Sequence, residues 1–365
     1  PVIYRSIISN HHRTGNAWKI YPMYDWTHGE SDYIEQVSHS LCTLEFEPHR
    51  ELYDWFLDSI GPLKGVRPKQ REFSRLNLSY TITSKRNLAR LVEENLVDGW
   101  DDPRMPTISG LRNRGYTPES LKMFALTVGV SKRESVIDVS LLEFCARAHL
   151  NEVAPRAMAV INPLKLTITN YEDKTFEEIK FEINPQKKEI GARKIKFSKT
   201  IYIERDDFKE AADDNFFRLK TGGEVRLKKA YIIKATEVLK DDKGEVVEVL
   251  CEYDKKSKSG SNTPESNRKV KGTIHWVSAT YSVDAKINIY DRLFKVSEPG
   301  KEKDLLADIN EDSLHVFEAK VEPHLQKAKE GEKFQFQRTG YFVRTANKKT
   351  LEFNKTVGLR DGWKK

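Results

Sequence analysis

Cysteine is scarce in this chain of 365 residues. Cys42, Cys145 and Cys251 are widely spaced and form no CxxC pair. That leaves no disulfide framework and points to a reduced, cytosolic compartment. Long apolar runs are missing too: none approaches the roughly eighteen residues that span a bilayer, and the start carries no signal-like n-region and h-region. No His, Cys and Asp cluster stands at ligand spacing, so no protein-bound metal is expected. No internal repeat is strong enough to use. What is present, 38% hydrophobic and 32% charged residues, fits a soluble globular protein of two or three domains. The opening at Pro1, without a methionine, reads as the middle of a domain.

The net charge of +7 is unevenly placed, with −1 on residues 1–155 and +8 on residues 156–365. A solvated lysine-rich surface would give such a surplus, and so would a polyanion-binding part joined to a part with another task.

Three regimes follow one another. Residues 1 to about 80 mix short apolar strands (Trp18 to Tyr24, Phe73 to Ile82) with a helix over Pro48 to Ile60. In that helix Leu52, Trp55, Phe56 and Ile60 recur at helical spacing as one apolar stripe. Residues 85 to about 155 read as helical throughout. Leu88, Leu91 and Val92 form one stripe. Thr117 caps a helix that begins at Pro118 and carries Leu121, Phe124, Ala125 and Val128. A third helix carries Leu141, Leu142, Cys145 and Leu150. From about 158 the period becomes two, as in 164–168, 194–197, 200–204, 224–228 and 333–338. Short alternating strands broken by turn residues predict antiparallel barrels or sandwiches. The polar stretch 255–271 reads as a mobile loop between strands.

The most informative residues are Thr83-Ser84-Lys85-Arg86, at the end of the predicted strand Phe73 to Ile82. A hydroxyl, a lysine and an arginine at the end of a strand suit a nucleotide phosphate, which α/β enzymes hold at the ends of their sheets. Alone, such a tetrapeptide is an ordinary basic turn. Other segments change its weight: Ile20 to His28 (IYPMYDWTH), Ser38 to Phe46 (SHSLCTLEF), Gly99 to Thr107 (GWDDPRMPT), Ala154 to Val160 (APRAMAV) and Val357 to Asp361 (VGLRD). With these, the chain resembles the class I glutaminyl-tRNA synthetases from Pro1 to Trp363. The resemblance implies that the family's N-terminal third is absent here, with its HIGH motif and most of its acceptor-end insertion.

The family joins glutamine to ATP as glutaminyl adenylate and then transfers it to tRNA. By resemblance, Lys85 is the working lysine of a KMSKS-like loop, with Ser84 beside it and Thr83 where methionine is common. Arg75, Leu76 and Thr43 are implied at the nucleotide, and Tyr24, His28 and Gln70 at the glutamine. A tyrosine hydroxyl can accept from an amide NH2 and donate elsewhere, which suits reading a carboxamide. ATP with Mg2+ is the implied co-substrate. A glutamate-specific relative would want a cation at the amino-acid side chain. Such relatives tend to carry arginine where this chain has neutral Cys42, which favours glutamine.

The resemblance further marks Asn151, Arg156, Arg218, Arg226, Lys228, Gln335 and Arg338 as lining an anticodon-reading surface. Arg226 and Lys228 alternate on one strand face. Gln335, Phe336 and Arg338 cannot all share one, so a bulge or strand end is required there. Arginine is common in the family at position 228, and a lysine there suits phosphate better than planar base contact. Pro48 stands where bacterial members often place an acidic acceptor for the acceptor stem; either Glu47 takes over or the contact is absent.

The expected architecture is multidomain α/β plus all-β. It comprises the second half of a Rossmann-type catalytic domain (1–80), a helical connector (81–155), a proximal β-barrel (156–165 with 276–365) and a distal β-barrel inserted into it (166–275). The implied protein is a cytoplasmic, monomeric glutamine–tRNA ligase whose fragment binds tRNA but does not catalyse. The rivals are a related glutamyl-tRNA synthetase and a non-catalytic tRNA-binding module.

Overall fold

The computed structural model describes residues 2–60, 64–213, 215–302 and 304–360. Pro1, Asp361 and Trp363, quoted above, lie outside them. The chain divides into two compact units, residues 1–78 with 126–137, and residues 79–125 with 138–365.

In the first unit, strand Tyr4–Ser6 pairs antiparallel with Ile20–Pro22. Helix Tyr24–Ile34 follows, then strand His39–Thr43, a 3-10 turn Leu44–His49 and helix Arg50–Ser59. The chain returns through strand Lys69–Phe73, which lies parallel to His39–Thr43 with Ser40 opposite Gln70. A parallel pair needs a crossover, and helix Arg50–Ser59 supplies it. Strand Leu76–Leu78 pairs in parallel with Ser135–Ile137.

Two expectations change here. The helix starts at Arg50, after Pro48, and it buries Tyr53, Phe56 and Leu57, while Trp55 is 58% and Ile60 41% exposed. Packing against helix Tyr24–Ile34 selects that face. Gly29 presents bare backbone to the Tyr53 ring, where a Cβ would come within 2.9 Å, and Trp26 meets Phe56 edge-on at 4.8 Å. The long strand Phe73 to Ile82 is also broken. Phe73 ends strand Lys69–Phe73, Leu76–Leu78 is a separate strand, and Tyr80 takes φ +57 where residues from Ser79 onward join the second unit and the Tyr80 amide donates to the Ser297 carbonyl at 2.7 Å.

In the second unit, helices Lys85–Glu93, Ile108–Arg114 and Val139–Val153 alternate with loops and are not continuous. Leu88 and Leu91 pack with Ile82, Met105, Leu293, Phe294 and Leu305 in one cluster. Thr117 accepts from the Ser120 amide at 3.2 Å, capping the helix Pro118–Val128. Of the four apolar residues expected on one face of that helix, only Phe124 is buried.

Two seven-stranded sheets follow. One runs, in spatial order, Arg156–Ala157, Lys333–Phe336, Gly340–Arg344, Glu352–Gly358, Val283–Tyr290, Leu314–Val321, Ala159–Ile161. The other runs Thr273–Ile274, Glu224–Leu227, Ile232–Lys240, Val246–Tyr253, Pro163–Ile168, Thr200–Glu204, Val277–Ser278. In each sheet the two edge strands are neighbours in the chain, separated only by Met158 or by His275 and Trp276. Each sheet is therefore curled round so that its edges come together. The pairing is mixed and not wholly antiparallel: Glu224–Leu227 with Thr273–Ile274, Val246–Tyr253 with Pro163–Ile168, Val283–Tyr290 with Glu352–Gly358, and Lys333–Phe336 with Arg156–Ala157 are parallel. Long excursions between these partners provide the crossovers. Each sheet has its own core, one around Trp276 and Phe197, the other around Phe336, Phe342 and Phe353. The stretch 255–271 contains a short helix, Pro264–Asn267, and buries Ser257 and Ser266.

Candidate functional site

In the first unit the residues expected at the amino acid are gathered around one aromatic. Tyr24 opens helix Tyr24–Ile34, its ring tilted against Phe46 at 4.2 Å between centroids and 4.9 Å from the His28 ring. Burial raises its phenol pKa, and the carboxylates Asp32 and Asp25 push the same way, so the hydroxyl stays protonated. His28 Nε2 lies 3.4 Å from Asp32, while its Nδ1 is buried with no hydrogen-bond partner among the described residues. Ser40 donates to Asp32 and shares a 2.5 Å hydrogen bond with the Tyr53 hydroxyl. Cys42 is 4% exposed, and burial, reinforced by Glu72, lifts its thiol pKa to about 11, so it is neutral.

Gln70 is buried and its Nε2 donates twice, to the Phe46 carbonyl at 2.8 Å and to Glu72 Oε1 at 2.9 Å. Glu72 also accepts from Arg50, through Nε at 3.0 Å and through Nη2, and from Lys132 at 3.1 Å. Arg50 first, with Gln70 and Lys132 adding, holds the Glu72 pKa at about 2. Lys132 also reaches Glu47 at 2.6 Å, so Glu47, beside Pro48, already holds a cation.

Thr43 ends strand His39–Thr43 and donates to Glu45 at 3.0 Å. Arg75 and Leu76 lie at the start of strand Leu76–Leu78, both exposed. Thr83, Ser84 and Lys85 belong to the second unit. Ser84 is the N-cap residue of helix Lys85–Glu93 without a side-chain cap bond, and Lys85 is its first residue. Among the described residues neither Lys85 nor Arg86 makes an ion pair, and both are exposed. The first-turn amides and an exposed ammonium at a helix N-terminus form a donor set for an anion.

The residues expected at the anticodon fall into three connected groups, all in the second unit. Arg156 is buried on its strand and donates to the Ala154 carbonyl at 2.7 Å and to Asn151 Oδ1 at 2.9 Å. Gln335, opposite Arg156 in parallel register, donates to the Tyr341 hydroxyl at 2.9 Å, and Tyr341 donates to Asn151 Oδ1 at 3.2 Å. Four residues thus form one hydrogen-bonded chain.

Arg338 lies past the end of strand Lys333–Phe336 with φ +69; a strand end therefore redirects its side chain. It makes two bonds to Asp207, at 2.6 and 2.8 Å, and one to His275 Nδ1 at 3.0 Å. His275 Nε2 is 2.7 Å from the Ala159 carbonyl, a contact it can only donate to, so Nδ1 is the acceptor for Arg338. Burial opposes the Arg338 cation, but the Asp207 carboxylate more than offsets it and the pKa is raised. Arg218 approaches the same carboxylate at 3.3 Å.

Arg226 donates to the Ser257 carbonyl at 3.0 Å, Ser259 Oγ at 3.3 Å and the Ser266 carbonyl at 2.8 Å, tying down the stretch 255–271. Lys228 is partly buried, and burial, then Arg338 and Lys229, lowers its pKa. A groove of about 260 Å³ beside these strands brings Arg218, Lys220, Lys269 and Lys271 to Phe216 and Phe217, with Lys271 Nζ 5.4 Å from the Phe217 ring centre. Sequence reasoning missed Tyr341, Asp207, His275, Glu72 and this pair of phenylalanines. All but Glu72 act through contacts distant in the chain, and Glu72, two residues from Gln70, is itself held by the distant Arg50 and Lys132, which no local pattern marks.

Residues 1–152 match the family model "tRNA synthetases class I (E and Q), catalytic domain", and residues 154–254 and 273–345 match two models of "tRNA synthetases class I (E and Q), anti-codon binding domain". The chain is 52% identical over 368 residues to the glutamine–tRNA ligase of Cronobacter sakazakii, covering all of this chain and 66% of that protein. The chain belongs to the class I synthetases of the glutamate and glutamine type. Within that family it is also 51% identical to the glutamine–tRNA ligase of Rhodopirellula baltica, covering 61% of it, and 52% identical to that of Proteus mirabilis, covering 65%. The chain therefore spans just under two thirds of the length of these curated relatives. The anticodon-domain models fall on the two curled sheets, and the catalytic-domain model ends within the last helix before them.

Proposed function

We propose that this chain forms the larger part of a glutamine–tRNA ligase, which activates glutamine with ATP and Mg2+ and transfers it to its tRNA. The observation that carries this is the neutral thiol of Cys42 near Tyr24. Cys42, kept neutral by burial, stands where a glutamate pocket needs a cation. Tyr24, His28 and Gln70 hold the carboxamide. Thr43, Arg75 and Leu76 lie against the adenosine, with Thr83 and Ser84 beside Lys85 at the phosphates. Adenylate formation is an in-line displacement, with charge growing on the departing pyrophosphate. Lys85 and the helix amides behind it meet that charge.

In this reading residues 1–80 are the second half of a Rossmann-type domain and 81–155 a connector. The proximal barrel is 156–165 with 276–365, and the distal barrel 166–275. The enzyme works as a cytoplasmic monomer. Asn151, Arg156, Arg218, Arg226, Lys228, Gln335 and Arg338 face the anticodon loop. The cation-lined groove at Phe216 and Phe217 adds charge and stacking surface, as single-stranded RNA requires. Residues 1–365 alone bind tRNA without activating glutamine.

The test is amino-acid-dependent pyrophosphate exchange by the full-length protein. Exchange with glutamine well above glutamate is expected. Preference for glutamate would overturn the reading in favour of the glutamyl type. Exchange with neither, alongside retained tRNA binding, would leave a tRNA-binding module.

A further inference from the structure

Gln70 is the one carboxamide among the three residues proposed at the amino acid, and a carboxamide can face a ligand in two ways. Turned one way it presents an acceptor; flipped, it presents two donors. Its Nε2 here touches the Phe46 carbonyl and Glu72 Oε1, at 2.8 and 2.9 Å. Both partners are acceptors only: a backbone carbonyl has no hydrogen, and Glu72 carries none while Arg50 and Lys132 hold it ionised. Flipping Gln70 would set its oxygen against two oxygens at hydrogen-bond distance. The amide is therefore locked with both N–H groups consumed and Oε1 left to accept.

We infer that Glu72 is a positioning residue for amino-acid selection: it fixes the Gln70 carboxamide so that only an acceptor faces the substrate side chain. This rests on the glutamine-ligase reading above and names the element of it that tells amide from acid. A substrate carboxamide has N–H groups for Gln70 Oε1, directly or through a water. A substrate carboxylate offers only acceptors and leaves Oε1 opposed and unpaired. Discrimination thus begins two residues beyond Gln70, on the same strand face, at a carboxylate that never touches substrate.

The experiment compares kcat/KM for glutamine and glutamate in pyrophosphate exchange by the full-length protein and three variants. Glu72→Gln removes the obligatory acceptor and lets Gln70 rotate; the glutamine-to-glutamate ratio should fall about tenfold or more. Arg50→Ala breaks the same ion pair but leaves the carboxylate, with Lys132 still beside it, so the ratio should stay within about threefold of the parent. Gln70→Leu, which disturbs no ion pair, should lower the ratio as Glu72→Gln does, and it decides the matter if Glu72→Gln does not fold. An unchanged ratio in Glu72→Gln or in Gln70→Leu overturns the inference, and so does an equal loss in Arg50→Ala, which would mean the ion pair matters only for packing. If the parent protein shows no preference for glutamine, it is the functional reading that fails, a result separable from the others.

Discussion

Arg338 grips Asp207 with two parallel hydrogen bonds, at 2.6 and 2.8 Å, across 131 residues of chain. The carboxylate is 2% exposed, and it joins the end of one curled sheet to the turn that follows strand Thr200–Glu204 of the other. An arginine that the family resemblance marks for RNA recognition is thus held in place by a buried carboxylate.

Asp207→Asn should destabilise the second unit by about 3 kcal/mol, because a buried pair loses one charge and leaves the other uncompensated. Urea unfolding of the chain measures this. A loss below about 1 kcal/mol would mean that the pair behaves as a surface ion pair.

Arg226→Ala should loosen residues 255–271 while the sheet survives. Its hydrogen bonds to the Ser257 and Ser266 carbonyls hold that stretch, and charged hydrogen bonds of this kind contribute about 1.5–3 kcal/mol each. Hydrogen exchange should quicken there and little elsewhere. Exchange spread evenly over strand Glu224–Leu227 and its neighbours would place the role of Arg226 in the sheet.

Lys85→Ala in the full-length protein should lower kcat for adenylate formation by about 10²–10³ with little change in the glutamine KM, since a donor preorganised for developing charge is lost. A raised KM with unchanged kcat would assign Lys85 to ground-state binding.

The first unit should lose stability in acid through Glu72. Its folded pKa, about 2, lies below the ordinary glutamate value of 4.5. The unfolded chain therefore takes up the proton first. The stabilisation is complete above about pH 4.5 and disappears as pH falls toward 2. Thermal melts across that window should fall more steeply for the parent chain than for Glu72→Gln. Parallel curves would show that Glu72 does not drive the acid response.

Binding of the cognate tRNA to the chain should weaken linearly in log salt, given the +8 charge of residues 156–365. Gln335→Ala should cost about 1–3 kcal/mol on the cognate tRNA and less on one with a substituted anticodon, whereas Lys228→Ala should weaken both alike. Filter binding at two salt concentrations distinguishes them. Equal losses for Gln335→Ala would make it a backbone contact.

The sequence by itself determined the change of regime near residue 158, the caps at Thr117 and the start at Lys85, and the alternating strands from 164 to 338. Those features depend on neighbours one to four residues apart, and periodicity records them. Family motifs supplied the candidate site residues, among them Lys85 and Gln70. Tertiary structure decided which face of Arg50–Ser59 is buried, because Gly29 lies 24 residues before Tyr53 and leaves room for its ring. It decided that the strand before Lys85 ends at Leu78 and that the sheets mix parallel with antiparallel pairs, since pairing partners lie up to 179 residues apart, as with Arg156 and Gln335. It also decided that Arg226 holds a loop and that Glu72 holds Gln70. A lone charge in a sequence carries no sign of its partner; only folding brings the acceptor within 3 Å.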